Sequence, residues 1–482
     1  MRVEETTVTG ADAGCPLVVD VDGTLIKTDL LAESFLALMA SEPIDALRSV
    51  ATLRNGRAAL KRSLAEQALL DIERIPLNEE LVAFLREERE AGRRIYLASA
   101  ADRRYVEALA QRLGLFDGIF ASDGAVNLKG ARKAEALCAA FGEGAFDYVG
   151  NDDADLAIWR VARKVFLTGG SAGLTRRVQR EFPEATVFPR EGGRLAEAFR
   201  ALRPHQWLKN LLVLVPAFTA HHFDAGTLIR CLLAFASFSL CASSVYVLND
   251  LLDLKSDRDH PVKRGRPFAA GRLSLFHGIA LAGPALAAAL GIALLLPVKF
   301  LVVLGVYYAM TLAYSTYLKR KATLDVMVLA CLYGMRLLAG ASAAMVPLSP
   351  WLLTFAIFIF LSLALVKRWA ELRDRLAEGK GDPPRRGYRL TDLPVLQTMA
   401  TASGYVAVMI CGLYVNSPVV TELYRHPTRL WAIPIVLLYW ISRILMLTHR
   451  GEMHDDPVLF AAKEKTSLAC LGLMVAAVLA GL

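Results

Sequence analysis

Residues 249–271 combine acidic and basic side chains inside otherwise apolar sequence and read NDLLDLKSDRDHPVKRGRPFAAG. Steps of three and four positions, which place side chains on one face of a helix, separate three aspartates: Asp250, Asp253 and Asp257. Carboxylates that close repel one another unless a cation lies between them, and Mg²⁺ prefers oxygen ligands that it shares with substrate phosphates. Bases suited to binding a diphosphate follow: Lys263, Arg264 and Arg266. The stretch therefore predicts chemistry on a phosphorylated substrate.

The sequence around this stretch predicts a helical membrane domain. Of the 482 residues, 55% are hydrophobic, and the apolar excess falls after about residue 200. Nine apolar spans approach the ~20 residues that a helix needs to cross a bilayer. They lie at about 206–221, 228–248, 275–296, 299–317, 324–346, 351–366, 395–415, 429–447 and 465–482. We expect nine transmembrane helices, with the 249–271 stretch in the connection after the second.

The charges between the spans predict the orientation. Basic residues are concentrated in alternate connections, at 255–272, 319–321, 367–389 and 450–465, and are sparse in the others. The positive-inside rule therefore places the 249–271 stretch and the N-terminal region in the cytoplasm, and nine spans place the C-terminus outside. Because helix ends that face anionic lipid explain the net charge of +8, we expect a plasma (inner) membrane protein that binds no nucleic acid.

The cysteines and the N-terminus agree with a cytoplasmic first domain. The seven cysteines are scattered, without the CxxC or Cys/His spacing of a metal site, so we expect small buried side chains in a reducing compartment. The first 19 residues contain no apolar signal-peptide core.

Residues 1–195 predict a soluble α/β domain, and residues 196–482 form the predicted membrane domain. Short apolar strands are expected at 16–19, 94–97 and 147–149, with a helical insertion within 30–90. The first strand runs into Asp20 and Asp22, the second into Ser99, and the third into the sequence GNDDAD. Open α/β sheets place their sites at the carboxyl ends of strands, so these residues are the candidate site.

The first domain resembles the haloacid-dehalogenase-like (HAD) phosphohydrolases in its DVDGT sequence at 20–24, Ser99, a lysine-bearing helix and the GNDDAD sequence at 150–155. The resemblance implies a Rossmann-like fold with a helical cap, in which Asp20 attacks phosphorus and Asp22 is the general acid and base. It implies phosphate binding by Ser99 and a lysine, Lys133 in preference to Lys129. The implied Mg²⁺ ligands are Asp20, Asp22, Asp155 and either Asn151 or Asp152. Because Asn151 replaces the family's usual aspartate, a regulatory or scaffolding module is the alternative.

The 249–271 stretch resembles the first aspartate motif of the UbiA superfamily of membrane prenyltransferases. It is most similar to the decaprenyl-phosphate phosphoribosyltransferase group, whose motif reads N-D-x-x-D-x-x-x-D-x-x-H-P-x-K-R-x-R-P-x-A-x-G. Every fixed position is met, by Asn249, Asp250, Asp253, Asp257, His260, Pro261, Lys263, Arg264, Arg266, Pro267, Ala269 and Gly271. The resemblance implies that the three aspartates hold Mg²⁺ and act catalytically, and that Asn249 and the three bases bind substrate.

Further residues on the same predicted face are candidate phosphate ligands, each with a structural alternative. Lys209 lies near Trp207, and for this segment the alternative is anchoring at the membrane interface. For Lys319 and Arg320 the alternative is equally supported: basic side chains at a helix end that extend to the membrane surface without binding substrate. Arg336 lies inside an apolar span, where an arginine needs a polar partner. Most of the superfamily carries a second acidic motif where this chain has Lys367, Arg368 and Glu371. A helix cap and a ligand role are equally supported for the sequence HDDP at 454–457.

The implied function is Mg²⁺-dependent transfer of a phosphoribosyl group from phosphoribosyl diphosphate to a membrane polyprenyl phosphate. The HAD-like domain would add a phosphatase activity, and its action on the lipid-linked product is left open, as is homo-oligomerisation. The alternative is transfer of a prenyl group from its diphosphate to an aromatic or other small acceptor. Charges clustered on one face, rather than along the spans, disfavour a transporter or binding protein.

Overall fold

The strands form where short runs of β-branched, aromatic and leucine residues lie between helices. The computed structural model describes residues 14–482, apart from residues 69, 124–125, 189–192, 384–385 and 454–455 and the side chains of residues 419 and 421. The strands in this part of the chain are β1 (Leu17–Val19), β2 (Ile95–Asp102), β3 (Gly118–Ser122), β4 (Asp147–Gly150), β5 (Val165–Thr168) and β6 (Thr186–Phe188). They pair in parallel in the order β3-β2-β1-β4-β5-β6, which confirms the α/β fold.

Helices flank the sheet and form the insertion expected within 30–90. They are α1 (Leu30–Ser41), α2 (Pro43–Ala51), α3 (Arg57–Gln67), α4 (Glu79–Glu90), α5 (Arg103–Leu113), α6 (Ala131–Phe141), α7 (Leu156–Trp159), α8 (Ala172–Glu181) and α9 (Arg194–Ala201). Asp29 starts α1, because its side chain accepts a hydrogen bond from the backbone N–H of Ala32 at 2.8 Å. Leu38, Ala46 and Leu64 join the first three helices in a buried apolar cluster. The helical insertion is therefore confirmed.

The rest of the chain is helical, as predicted. Its helices are α10 (Val215–Thr219), α11 (Ala225–Leu252), α12 (Leu254–Asp259), α13 (Leu275–Ala293), α14 (Val298–Thr316), α15 (Leu324–Ala344), α16 (Pro350–Ala377), α17 (Leu393–Val415), α18 (Pro418–Leu423), α19 (Ala432–Arg450), α20 (Pro457–Ala461) and α21 (Lys465–Gly481). Among the described residues, seven helical segments are long and apolar enough to cross a membrane. The predicted count of nine is not confirmed.

The two missing spans are the first and the last. Residues Pro204–Val213 form a 3₁₀ helix, and only the five residues of α10 follow before the chain turns at 220–224. Pro204 and Pro216 lack the backbone N–H that a continuous helix needs. At the other end α21 is apolar but has 17 residues, fewer than the ~20 that span a bilayer. The outside location of the C-terminus, which depended on nine spans, stays a prediction.

Two compact units divide the chain. Unit 1 contains Met1–Leu202 and Tyr246–Ala282, and unit 2 contains Arg203–Val245 and Gly283–Leu482. The 249–271 stretch therefore lies in unit 1 with the parallel sheet. The domain boundary at 195/196 stays a prediction, because the two units are defined by packing and each contains two separate segments of the chain.

A buried apolar cluster explains why residues 246–282 belong to unit 1. Ala32 and Leu36 of α1 pack with Leu251, Leu254 and Phe268 in this cluster. The sheet has its own cores: Leu17 and Val19 of β1 belong to one cluster and the intervening Val18 to another, because alternate side chains of a strand point to opposite faces. The candidate residues of both predicted sites are thus held by one packed unit.

Candidate active sites

The first site lies where the strand order of the sheet reverses. β1 and β4 are neighbours, and the backbone N–H of Asp20 donates to the carbonyl of Val149 at 3.0 Å. The loops after these two strands carry the DVDGT and GNDDAD sequences. Ligands of doubly wound sheets bind in the crevice at this point, which explains why two distant motifs line one cavity.

Lys133, rather than Lys129, lies beside the predicted nucleophile Asp20. Its buried Nζ donates to Asp20 Oδ1 at 2.6 Å and to the carbonyl of Ala98 at 3.1 Å. Lys129 is exposed, and its Nζ is 3.8 Å from Asp152 Oδ2. Burial raises the pKa of Asp20 to about 6, and the positive charge of Lys133 opposes that rise. A carboxylate held against one lysine is suited to attack on phosphorus.

Asp22 is positioned by the start of α1. Its Oδ1 accepts a hydrogen bond from the backbone N–H of Leu30 at 2.8 Å. Burial, with the nearby charge of Asp29, raises the pKa of Asp22 to about 8. A carboxyl group that keeps its proton near neutrality can donate it to a leaving oxygen.

The predicted Mg²⁺ site is assembled only in part. Both oxygens of Asp155 accept hydrogen bonds within the protein: Oδ2 from the backbone N–H groups of Asn151 at 2.9 Å and Asp152 at 3.0 Å, and Oδ1 from the Tyr148 hydroxyl at 3.0 Å. In the described part of the chain, no group of three His, Cys, Asp or Glu side chains is placed to hold a metal.

The remaining oxygen donors nevertheless fit Mg²⁺ by their chemistry. Asp20, Asp22 and Asn151 line the same cavity. A Cβ atom at Gly23 would overlap the Asn151 amide, so this amide lies directly against the turn after Asp22. The residues fit an ion that Asp20 and Asn151 would hold together with substrate oxygens. Asp155 shapes the turn through its hydrogen bonds, and its role as a metal ligand stays a prediction.

Ser99, a predicted phosphate ligand, does not line the cavity, whereas Lys61, which the sequence did not indicate, does. Ser99 is fully buried and its Oγ accepts the backbone N–H of Ala101 at 2.9 Å, while the cavity wall here is formed by residues 100–102. From α3, the Nζ of Lys61 enters the same cavity and donates to Asn127 Oδ1 at 2.9 Å. Burial lowers the pKa of Lys61, and Asp22 and Asp29 oppose this. No local motif marks Lys61, because tertiary packing of the insertion places it.

The 249–271 stretch forms two helices rather than one. α11 ends at Leu252, Asp253 has φ −98° and ψ 14°, and α12 begins at the next residue. Asp250 and Asp257 are both buried, and Arg266 Nη1 lies 3.1 Å from Asp250 Oδ1 and 2.6 Å from Asp257 Oδ2. Arg266 of the same stretch thus pairs with two of the three acids, and the Mg²⁺ ion predicted between them stays a prediction. Burial raises the pKa of Asp257, and the charge of Arg266 opposes that rise.

The oxygen donors of this acidic site fit Mg²⁺ if the Arg266 guanidinium moves away from Asp250 and Asp257. The donors are carboxylate oxygens, and the Arg266 side chain is 26% exposed, so its guanidinium lies at the rim of the site. The other predicted substrate ligands have mixed exposure: Asn249 and Lys263 are half-buried and Arg264 is exposed. The structure adds ion pairs between residues that the sequence singled out, and their roles as metal and substrate ligands stay predictions.

In unit 2, Asp456 brings two predicted phosphate ligands together. Lys209 Nζ and Lys367 Nζ each lie 2.9 Å from Asp456 Oδ2. The other oxygen accepts the backbone N–H of Val458 at 3.1 Å and caps α20, so the helix-cap interpretation of Asp456 is confirmed and its ligand role stays a prediction. Burial opposes ionisation of Asp456, but the two lysines hold its pKa below the ordinary value. His454 and Asp455 lie outside the described residues.

Arg336 has partners inside unit 2. Its Nε donates to Asn210 Oδ1 at 2.9 Å and its Nη2 to the Tyr307 hydroxyl at 3.3 Å. Its guanidinium also lies 5.1–5.6 Å from the ring centroids of Phe238, Tyr307 and Tyr333. These contacts satisfy the expected need of a buried arginine, and its contact with a lipid phosphate stays a prediction.

Arg368 also has internal partners. Its Nε lies 2.7 Å from Asp325 Oδ2, its Nη1 lies 2.7 Å from Glu371 Oε2, and its Nη2 donates to the Tyr314 hydroxyl at 3.2 Å. Asp325 and Arg368 are buried. Lys319 and Arg320 lie in a separate 3₁₀ turn, Leu318–Arg320, where the first is half-buried and the second exposed. A role of these residues in substrate binding stays a prediction.

Replacing Arg368 with alanine is expected to destabilise the protein by about 3–5 kcal/mol, because the change removes the cation beside the buried Asp325 carboxylate. The free energy of unfolding, measured in detergent for wild type, Arg368→Ala and the exposed-site control Arg320→Ala, tests this expectation. Equal stability of the two variants would contradict the assigned ion pair.

Comparison with known proteins identifies both parts of the chain. A model of the haloacid dehalogenase-like hydrolase family matches residues 17–160. A model of the UbiA prenyltransferase family matches residues 211–469, which is more than half of the chain. The chain belongs to the UbiA prenyltransferase family. This UbiA-family protein carries a HAD-like domain at its N-terminus and is an integral membrane protein. Both families generally depend on Mg²⁺.

Individual relatives share one or both parts of this UbiA-family chain. Uncharacterized protein y4nM of Sinorhizobium fredii (strain NBRC 101917 / NGR234) is 38% identical over 460 residues, 95% of this chain and 89% of the relative. The decaprenyl-phosphate phosphoribosyltransferase of Mycolicibacterium smegmatis is 38% identical over 223 residues, 45% of this chain and 70% of that protein. The structure of a UbiA homologue from Archaeoglobus fulgidus, bound to GPP and Mg²⁺, aligns with 58% of this chain and 99% of its own at 16% identity and a TM-score of 0.45.

Proposed function

We propose that the membrane domain transfers a phosphoribosyl group from phosphoribosyl diphosphate to a polyprenyl phosphate. The match of residues 249–271 to every fixed position of the phosphoribosyltransferase motif carries the proposal. The similarity to a protein named decaprenyl-phosphate phosphoribosyltransferase supports it. The charges of the loops support a location of both sites on the cytoplasmic face of the plasma membrane.

The acidic site would bind the sugar donor. Asp250, Asp253 and Asp257 would hold Mg²⁺, which supplies positive charge to the departing diphosphate. Arg266 would exchange its carboxylate partners for the diphosphate, with Lys263 and Arg264 as further donors. An oxygen of the lipid phosphate attacks the anomeric carbon, the bond from that carbon to the diphosphate oxygen breaks, and the diphosphate leaves with its electron pair.

The lysine pair of unit 2 is suited to the lipid phosphate. Lys209 and Lys367 share a single carboxylate of Asp456, so the three groups together carry one excess positive charge. The Lys367 side chain is 42% exposed and therefore accessible to a ligand. An anionic headgroup that joined this cluster would make charge-assisted hydrogen bonds to the ammonium groups.

We also propose that the HAD-like domain removes the 5-phosphate of the lipid-linked product. An oxygen of Asp20 attacks phosphorus while the sugar oxygen leaves and takes a proton from Asp22, and water then releases phosphate from Asp20. Lys133 offsets the negative charge of the phosphate at this site. Asp20 and Asn151 would hold a Mg²⁺ ion that supplies further positive charge.

The transferase proposal is tested with purified full-length protein, phosphoribosyl diphosphate labelled in the sugar, and polyprenyl phosphates of several chain lengths. We expect the label to appear in the extracted lipid. A protein that instead prenylates a hydroxybenzoate from a prenyl diphosphate, with no label in the lipid, would replace the proposal with the alternative chemistry.

A further inference from the structure

The cavity above Asp20 is larger than a phosphomonoester requires. It encloses about 820 Å³, near the upper end of the 300–1,000 Å³ typical of small-molecule sites. Asp20, Asp22 and Lys133 occupy one part of its lining. The rest of the lining includes residues of the helical insertion and of the segment 271–277. The cavity therefore has room for a substrate with more than a sugar phosphate.

The wall at 271–277 belongs to the sequence that follows the transferase motif. It ends in the first turn of α13, one of the helices long and apolar enough to cross a membrane. Gly271 has φ +69°, and a Cβ atom there would overlap Lys27, so the wall lies directly against the HAD-like fold. The cavity is thus lined in part by a run of residues that continues into an apolar helix long enough to cross a membrane.

Ion pairs hold this wall in unit 1. Arg258 Nη2 and Nη1 lie 2.6 Å and 3.1 Å from the two carboxylate oxygens of Glu33 on α1, and both side chains are buried. Arg272 Nε lies 3.1 Å from Glu197 Oε2 on α9. The two-pronged contact of Arg258 fixes orientation as well as distance. The wall is consequently a built part of the cavity.

The side chains of the outer cavity suit a second anion joined to an apolar chain. Arg57 of α3 and His277 of α13 line it and are exposed, so both can donate hydrogen bonds to a ligand. Leu53 and Phe276 line it as well and are 47% and 53% exposed, so both are accessible to an apolar ligand group. This combination matches a phosphodiester that links a sugar phosphate to a lipid.

We propose that Arg57 and His277 form a second anion subsite, with Leu53 and Phe276 beside it as the apolar contact. The subsite makes the HAD-like domain selective for phosphomonoesters whose sugar is joined through a phosphodiester to a lipid chain. The inference rests on the proposed phosphatase function, since it names the class of substrate for the same site. The inference goes beyond that function because it assigns substrate selectivity in part to residues 271–277, which follow the transferase motif.

The test uses full-length protein in lipid nanodiscs and two substrates, a phosphoribosyl polyprenyl phosphate and ribose 5-phosphate. The readout is the ratio of kcat/KM for the lipid substrate to kcat/KM for ribose 5-phosphate. We expect the double variant Arg57→Ala/His277→Ala to lower this ratio about tenfold, the size of one lost charge-assisted hydrogen bond. The control Arg54→Ala changes an exposed arginine of the same insertion that is not part of the cavity lining, and its ratio should equal that of wild type.

The outcomes separate this inference from the function beneath it. If wild type hydrolyses the lipid substrate and the double variant keeps the wild-type ratio, the subsite is wrong and the phosphatase function stands. If the double variant loses activity on both substrates equally, its residues are structural and the subsite is again wrong. If wild type hydrolyses ribose 5-phosphate but not the lipid, both proposals fail.

Discussion

Asparagine in place of Asp250 or Asp253 is expected to lower phosphoribosyl transfer about 100-fold or more while the protein stays folded in the membrane. In the proposed mechanism the three aspartates would hold one ion together, so the loss of a single negative charge would weaken the whole site. Turnover of labelled phosphoribosyl diphosphate into lipid measures the effect. Excess chelator should abolish the same activity, and added Mg²⁺ should restore it.

Asp259→Asn is a matched control for this expectation. Asp259 is a fourth aspartate of the same stretch, but it is exposed and forms an ion pair with Arg74 rather than with Arg266. Exposed pairs contribute little, so the control should keep near-wild-type activity. Full activity of Asp253→Asn, or of wild type in excess chelator, would show that these aspartates hold no catalytic metal.

The Asp20→Asn variant is expected to leave the 5-phosphate on the lipid product. We expect wild type to remove this group and release it as free phosphate. The amide is not a nucleophile, so phosphate release should fall about 1,000-fold or more. The variant preserves the shape of the side chain beside Lys133, and the transfer step should proceed as in wild type. Mass spectrometry of the extracted lipid distinguishes the phosphorylated from the dephosphorylated product.

Asp45→Asn provides the control here, because Asp45 lies on α2 in a surface ion pair with Arg48. If wild type and Asp20→Asn accumulate the same phosphorylated lipid, the HAD-like domain does not process that product. Such a result would favour the scaffolding role that Asn151, in place of the usual aspartate, kept open.

Three of the six described strands, and the acidic residues that follow two of them, could be predicted from sequence because both signals are local. A short apolar run followed by Asp20 and Asp22 indicates the carboxyl end of a buried strand. The requirement for a cation among the acids at 250–257 was predictable from repulsion alone. The pairing of Arg266 with two of these acids was not predictable, because Arg266 reaches them only after the helix ends at Leu252 and the chain turns back.

Partners that lie far apart in sequence could not be predicted. Arg336 needed a polar neighbour on physical grounds, and the neighbour is Asn210, 126 positions away. Lys61 enters the catalytic cavity only because the insertion packs over the sheet. The two missing spans have other causes. Apolar composition does not report that residues 204–213 form a 3₁₀ helix and that only a five-residue helix follows around Pro216, or that α21 has only 17 residues.

The helix α1 connects the two candidate sites of unit 1. At its start the backbone N–H of Leu30 contacts Asp22, and one turn later Glu33 holds Arg258, the residue next to Asp257. A ligand that shifted α1 at one of these contacts would therefore change the free energy of binding at both ends. Thermodynamic linkage makes this effect reciprocal: whatever factor phosphate at Asp20 applies to donor affinity at Asp257, the donor applies to phosphate.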